Sequence, residues 1–444
     1  MRRRICSLLV VWTILWMPGA GMAAPAARTT AEAPAAAPVA APAAGSPGQA
    51  FDPEAATEAY LARLSPEQRE RSDSYFEGKY WLDLWDFLWG LGVAWLLLGT
   101  RLSARMRDAA ERLTRGRFLQ AVLYAIVYIF LAALLTFPLT VYEGFIREHQ
   151  YGMATQSIGA WLIDQLKGLG LALLFGSLLL AALYAVFRKA PRTWWIWGAA
   201  VALLFVIFGA LIAPVFIAPL FNTYTELKDP KLRGSILSLA RANGIPAEHV
   251  YVFDASRQSN RVSANVSGLA NTLRISLNDN LLKRASPAGV RAVMGHEMGH
   301  YVLNHVYEGI VEMAVVVVLG FAFVSWGFGR MVARRGERWG VRGIADLAGL
   351  PLFVAVFSVY SFLLTPVSNT IIRTNEAEAD IFGLNASREP DGFAEVALLL
   401  SDYRKISPGP VEEWIFFDHP SGRNRIHMAM QWKAEHLGET PTPP

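Results

Sequence analysis

Six long apolar segments, near 80–99, 118–141, 168–187, 194–218, 307–328 and 344–365, limit what this chain can fold into more than any other feature. Each has about 20 residues or more, enough for a helix to cross a hydrocarbon core of roughly 30 Å. One such helix can be buried in a soluble core; six in a chain of 444 residues cannot. Hydrophobic residues make up 53% of the chain and charged residues only 18%, which is a membrane composition. Backbone amides in hydrocarbon must be satisfied within their own segment, so the spans have to be helices. The expected fold class is predominantly α, a polytopic helical membrane protein of about six spans. Asp83 and Asp86 fall in the first span, where a carboxylate is costly. They are expected to face protein or a wet cavity, with Asp83 alternatively at the interface.

Positive charge is concentrated in three short loops. Arg101, Arg105, Arg107, Arg112, Arg115 and Arg117 follow the first span. Arg188, Lys189 and Arg192 lie between the third and fourth, and Arg330, Arg334, Arg335, Arg338 and Arg342 between the fifth and sixth. These loops share one side of the membrane, and the positive-inside rule makes that side cytoplasmic. The net charge of +4 is thus read as topology bias, and nucleic acid is not an expected partner. Residues 1–24 read as a secretory signal peptide or an uncleaved signal anchor, with Arg2, Arg3 and Arg4 ahead of an apolar core and small residues to Ala24. Residues 25–64 are expected to be an Ala/Pro-rich linker. Both signals put segment 219–306 and the region from 366 onward outside the cytoplasm, at a bacterial inner membrane. The sole cysteine, Cys6, lies in the leader, which excludes thiol nucleophiles, disulfides and cysteine metal sites from the rest.

The expected organisation is four spans within 65–218, a first soluble-looking part at 219–306, two further spans within 307–365, and a C-terminal part at 366–444. Asp229 and Pro230 open a helix that ends near Asn243-Gly244. Short strands are expected at 249–253, 261–268 and 271–278, the last alternating at period two. This small sheet is either a purely structural hairpin or an edge that pairs with an extended peptide. Ser286 and Pro287 then start a helix carrying His296-Glu297-Met298-Gly299-His300. Histidines four apart share a helix face and can hold one Zn²⁺, while the carboxylate between them can take a proton from an attacking water.

Two histidines leave zinc short of a ligand. The pattern His-Glu-x-x-His-x-x-Gly-x-x-His needs Gly and His where this chain has Leu303 and Val306, so His305 is expected behind a ligand or at the membrane boundary. Glu376 can complete a His₂Glu set, and Asp380, one turn on, can accept an N–H from a ligating histidine. Glu378 is expected in solvent, and Pro390-Asp391-Gly392 as a turn. In Asp418-His419-Pro420, His419 can assist an oxyanion, as can Arg425.

In this order the motifs resemble the type 1 CAAX prenyl proteases, integral-membrane zinc proteases, over roughly residues 65–430. Beyond Gly295 to His300, Tyr142 to Gly152 looks like the family's first loop and Ile217 to Asn222 like its exit from the membrane. Glu376 to Asp380, and His419-Pro420 with Arg425 and Ile426, match its later signatures. The resemblance implies a water-filled chamber enclosed by the spans and a gluzincin-like domain. It implies one zinc per chain on His296, His300 and Glu376, with Glu297 as base, Asp380 behind a histidine ligand, and His419 and Arg425 at the oxyanion or substrate. The substrate-pairing edge would be Ser263, Ala264, Asn265, Val266 and Gly268, where the family's usual Asn-Ala-aromatic run is replaced by Ser263-Ala264-Asn265. The extra span that usually opens the family is here a basic leader. The expected function is zinc-dependent endoproteolysis of membrane-associated or extracytoplasmic polypeptides, lipid-modified ones among them. The alternatives are a prenyl-peptide-specific C-terminal protease and a non-catalytic membrane chaperone.

Overall fold

The computed structural model describes residues 51–267 and 273–438. The leader at 1–24, the linker up to residue 50 and Gly268 lie outside the described residues. Helix α1 (Pro53–Leu61) precedes α2 (Pro66–Gly99), the first of six helices long and apolar enough to cross a membrane. A short α3 (Leu102–Leu113) leads to the second span, α4 (Arg117–Val141), which runs on to Gln150. The third, α5 (Ile158–Leu171), continues to Lys189, and the fourth, α6 (Trp194–Ile212), to Phe221. After the small sheet come α8 (Asp279–Arg284) and α9 (Pro287–Val302). Spans five and six are α10 (His305–Trp339) and α11 (Leu350–Ser387). The C-terminal part holds α12 (Pro390–Leu400), α13 (Pro410–Phe416) and α14 (Gly422–Glu435). The protein is a predominantly α, polytopic membrane protein.

Lipid-facing surface is visible on the spans: Trp81, Trp85, Trp89 and Trp95 stand exposed along α2. Asp83 is neutralised by Lys79 one turn earlier at 3.5 Å. The basic loops meet at one end of the bundle, where buried Arg107 bonds Asp346 at 2.6 Å.

The sheet has strand order β1-β2-β4-β3, from Tyr224–Glu226, Val250–Phe253, Ala264–Ser267 and Arg274–Asn278 in chain order. β2 and β4 are parallel, joined across the sheet by intervening chain, and β3 is antiparallel to β4 with Ala264 opposite Leu277. Helix α7 (Pro230–Ala242), capped by Asp229, packs Ile236 against the sheet and α9. β1 was not expected; three residues are too few for a periodic signal.

Three expectations change. The linker drawn to residue 64 ends earlier, because α1 is a helix capped by Asp52, with Tyr60 and Leu61 buried among Phe393, Ile426 and Met430. The segment read as a loop at 142–152 continues α4 through a π turn at Tyr142–Arg147. That wide turn rotates Arg147 to donate to the Tyr75 carbonyl and Glu148 to accept from the Tyr75 hydroxyl at 2.5 Å. Pro390-Asp391-Gly392 is not a turn but the first turn of α12, where Pro is tolerated because its missing N–H has no helical partner anyway.

α11 has 38 residues, about 57 Å at 1.5 Å per residue, nearly twice a hydrocarbon core. The sixth span and the acidic run are therefore one rod, and the rod carries Glu376 and Asp380 out of the membrane against α9.

Candidate metal centre

The centre forms where α9 crosses α11 almost backbone to backbone. A Cβ on Gly383 would lie 2.7 Å from the His296 amide nitrogen, and one on Gly295 2.8 Å from the Gly383 carbonyl oxygen. Only glycine permits that approach. α9 itself starts as the sequence predicts: Ser286 Oγ accepts the Gly289 amide at 3.1 Å, Pro287 follows, and Val290, Met294 and Met298 bury one face against the sheet.

The opposite face presents the histidines. His296 Nε2 lies 3.2 Å from His300 Nε2 and 3.3 Å from Glu376 Oε2, and His300 Nε2 lies 3.7 Å from Glu376 Oε1. Among the described residues these three form the one group of histidine and acidic side chains close enough to share an ion. Ligand atoms roughly 2.0–2.1 Å from a tetrahedral metal are about 3.3 Å apart, so the spacing fits, and two imidazoles with one carboxylate are a donor set that suits zinc.

Each of the three has a partner behind it. Asp380, fully buried, places Oδ1 2.7 Å from His296 Nδ1 and also accepts from the Arg425 guanidinium. Burial pulls the His296 imidazole down, but Asp380 and then Glu376 overcome it and push its pKa up to about 10. His419 Nε2 is 2.9 Å from Glu376 Oε2, and its Nδ1 is 3.1 Å from Asp418. His300 Nδ1 is 2.9 Å from His305 Nδ1. Glu297 is partly buried on α9 beside His296.

Two of the expected residues have further partners. Arg425 donates to Asp380, the carboxylate behind His296. Glu378, expected in solvent, is exposed at its carboxylate yet 3.3 Å from His305. Ser263, Ala264, Asn265 and Val266 run into and along β3, the terminal strand of the sheet, which packs against α9. Asp418 was missed; an acidic residue next to histidine carries no spacing signal by itself.

Residues 226–433 match peptidase family M48, and residues 53–223 match the CAAX prenyl protease N-terminal region, described as having five membrane helices. The chain belongs to peptidase family M48. Within residues 53–223 the structure has four of its six candidate spans. An uncharacterized metalloprotease of Bacillus subtilis, YhfN, is 30% identical over 372 residues, covering 82% of this chain and 86% of the relative. CAAX prenyl protease 1 of Saccharomyces cerevisiae is 28% identical over 318 residues, covering 67% and 69%. The crystal structure of S. mikatae Ste24p superposes with a TM-score of 0.69 at 23% identity, over 83% of this chain and 89% of that one, which shows a shared fold. Family membership and the M48 relatives make this chain a membrane-embedded metalloendopeptidase.

Proposed function

We propose that this M48 enzyme is zinc-dependent, with one ion on His296, His300 and Glu376, and hydrolyses peptide bonds of membrane-associated or extracytoplasmic polypeptides. The observation that carries the reading is the spacing of the three ligand groups: 3.2 Å between the two histidine Nε2 atoms, 3.3 Å from His296 Nε2 to Glu376 Oε2 and 3.7 Å from His300 Nε2 to Glu376 Oε1. When bound, zinc acidifies a water to a pKa of about 7 and polarises a carbonyl. Glu297 takes the proton of the attacking water and returns it to the leaving amine. Asp380 holds the His296 proton on Nδ1 and leaves Nε2 bare toward the metal. His419 lies against Glu376 and is the group assigned to assist charge developing at the carbonyl oxygen. The substrate lies extended along β3, bonding through its backbone at Ser263 to Val266.

The basic loops support a catalytic side that is extracytoplasmic, at a bacterial inner membrane. A phosphatase fused after Pro444 should be active; an inactive fusion overturns this orientation. Glu297→Gln should keep its zinc and lose roughly 10²–10⁴-fold in peptide cleavage. Cleavage at the wild-type rate would remove Glu297 as base and overturn this mechanism. The names of the relatives favour a second reading, preference for prenylated peptides. Comparing a prenylated peptide with its unmodified parent separates the two.

A further inference from the structure

Helix α9 ends at Val302 and span α10 begins at His305. In a continuous helix, at about 100° per residue, residue 305 would lie roughly 140° around the axis from residue 300, and the rings could not meet. The chain breaks the helix between them. Asn304 has φ 61°, in the left-handed region that asparagine tolerates better than most residues. The break folds His305 back onto the metal helix, where it is buried with Nδ1 2.9 Å from Nδ1 of His300. Its other nitrogen, Nε2, faces Glu378 Oε2 at 3.3 Å. The Glu378 side chain projects from α11 and is 55% exposed.

We infer that His305 and Glu378 are positioning residues for His300, holding its Nε2 bare toward the metal. The inference rests on the proposed ligation by His296, His300 and Glu376. His300 can offer Nε2 to a metal only when its proton is on Nδ1. That N–H then donates to Nδ1 of His305, whose own proton sits on Nε2 and donates to the Glu378 carboxylate. The reverse order, with His305 donating from Nδ1, sets a bare Nε2 against a carboxylate and puts a proton on the nitrogen the metal needs. Two neutral imidazoles that meet through Nδ1 have no intrinsic preference between these orders. An ionised carboxylate accepts only, so Glu378 supplies the preference. It acts through His305 on the direction of a single hydrogen bond, and neither residue need touch substrate.

The test is zinc affinity, measured by chelator competition on the purified full-length protein, so that the readout does not depend on cleavage. Glu378→Gln keeps the size of the side chain, but its amide can present either oxygen or N–H₂ to His305. It should weaken zinc binding about tenfold, the low end for a residue behind a metal ligand. His305→Leu should weaken it more, whereas His305→Gln, which can accept on one side and donate on the other, should restore affinity to within about threefold of wild type. A Glu378→Gln protein within about threefold of wild type overturns the inference. That substitution decides even if His305→Leu fails to fold, because Glu378 is exposed. A His300→Ala protein that binds zinc as tightly as wild type overturns the ligation reading instead, and the two failures are distinct.

Discussion

His296 and His300 stand one turn apart on the same helix and face the same candidate ion, yet what lies behind them differs. Behind His296 is a sealed pair: Asp380 has no exposed side-chain surface and Arg425 little, and Arg425 comes from the last described helix. Behind His300 is a graded series, from buried His305 to a Glu378 carboxylate that is more than half exposed. Charge inside the first arrangement has no water to fall back on, so its partners are bound to the fold as well as to the ligand. Charge at the end of the second is already hydrated and can influence proton position without carrying much stability. The two arrangements proposed to leave Nε2 bare on this helix thus differ in burial: one is sealed in the fold, the other ends in a carboxylate that water reaches.

This contrast can be broken by substitution, the largest effect first. Asp380→Asn leaves Arg425 buried without its counter-charge and should cost roughly 3–5 kcal/mol, read as a lowered melting temperature in detergent. If Arg425→Met, added to Asp380→Asn, recovers none of that loss, the sealed pair is not the source of the cost. A second effect is the proton that His296 gives up. With its pKa near 10, His296 in the metal-free protein carries its extra proton at neutral pH. Zinc needs that nitrogen bare, so binding at pH 7 should release about one proton, measurable by calorimetry in buffers of different ionisation enthalpy. The sign follows from the raised value: the stabilisation is complete below the ordinary histidine value of 6.5 and is lost as pH rises through about 10. Proton release should fade over the same rise. The smallest effect is on folding by Glu378→Gln, expected within about 0.5 kcal/mol because the site is exposed. A melting temperature as low as that of Asp380→Asn would erase the distinction.

Much of this architecture is legible in the amino-acid order, and what is hidden shares a cause. The spans are visible because length and apolarity are summed over many residues. The start of α9 is visible because Ser286 and Pro287 act locally, and the metal triad because Glu376 and Asp380 repeat the four-residue step of His296 and His300. The crossing at Gly295 and Gly383 is not visible, since a glycine in a helix reads as a weakness until another backbone is known to pass there. Tyr142 to Arg147 hides its π turn because the groups that pull it, Tyr75 and Arg261, are far away in sequence. His305 is expected behind a ligand or at the membrane boundary, and it lies against His300; which ligand it meets is hidden because no regular helix brings a five-residue offset together. Asn304 was the local signal, a residue suited to the left-handed break.

The docking of α1 has a mechanical consequence. Tyr60 donates to Asp391 at 2.7 Å, and Arg423 on α14 grips Glu54 and Glu58, so the first described helix is moored to the last. Only Ala62, Arg63, Leu64 and Ser65 separate that mooring from the first span. Fully stretched, they reach at most about 18 Å between Leu61 and Pro66. The N-terminal end of α2 is therefore on a short leash, and the bundle cannot widen at that span beyond the leash without first unseating Tyr60 and Leu61 from the peptidase half.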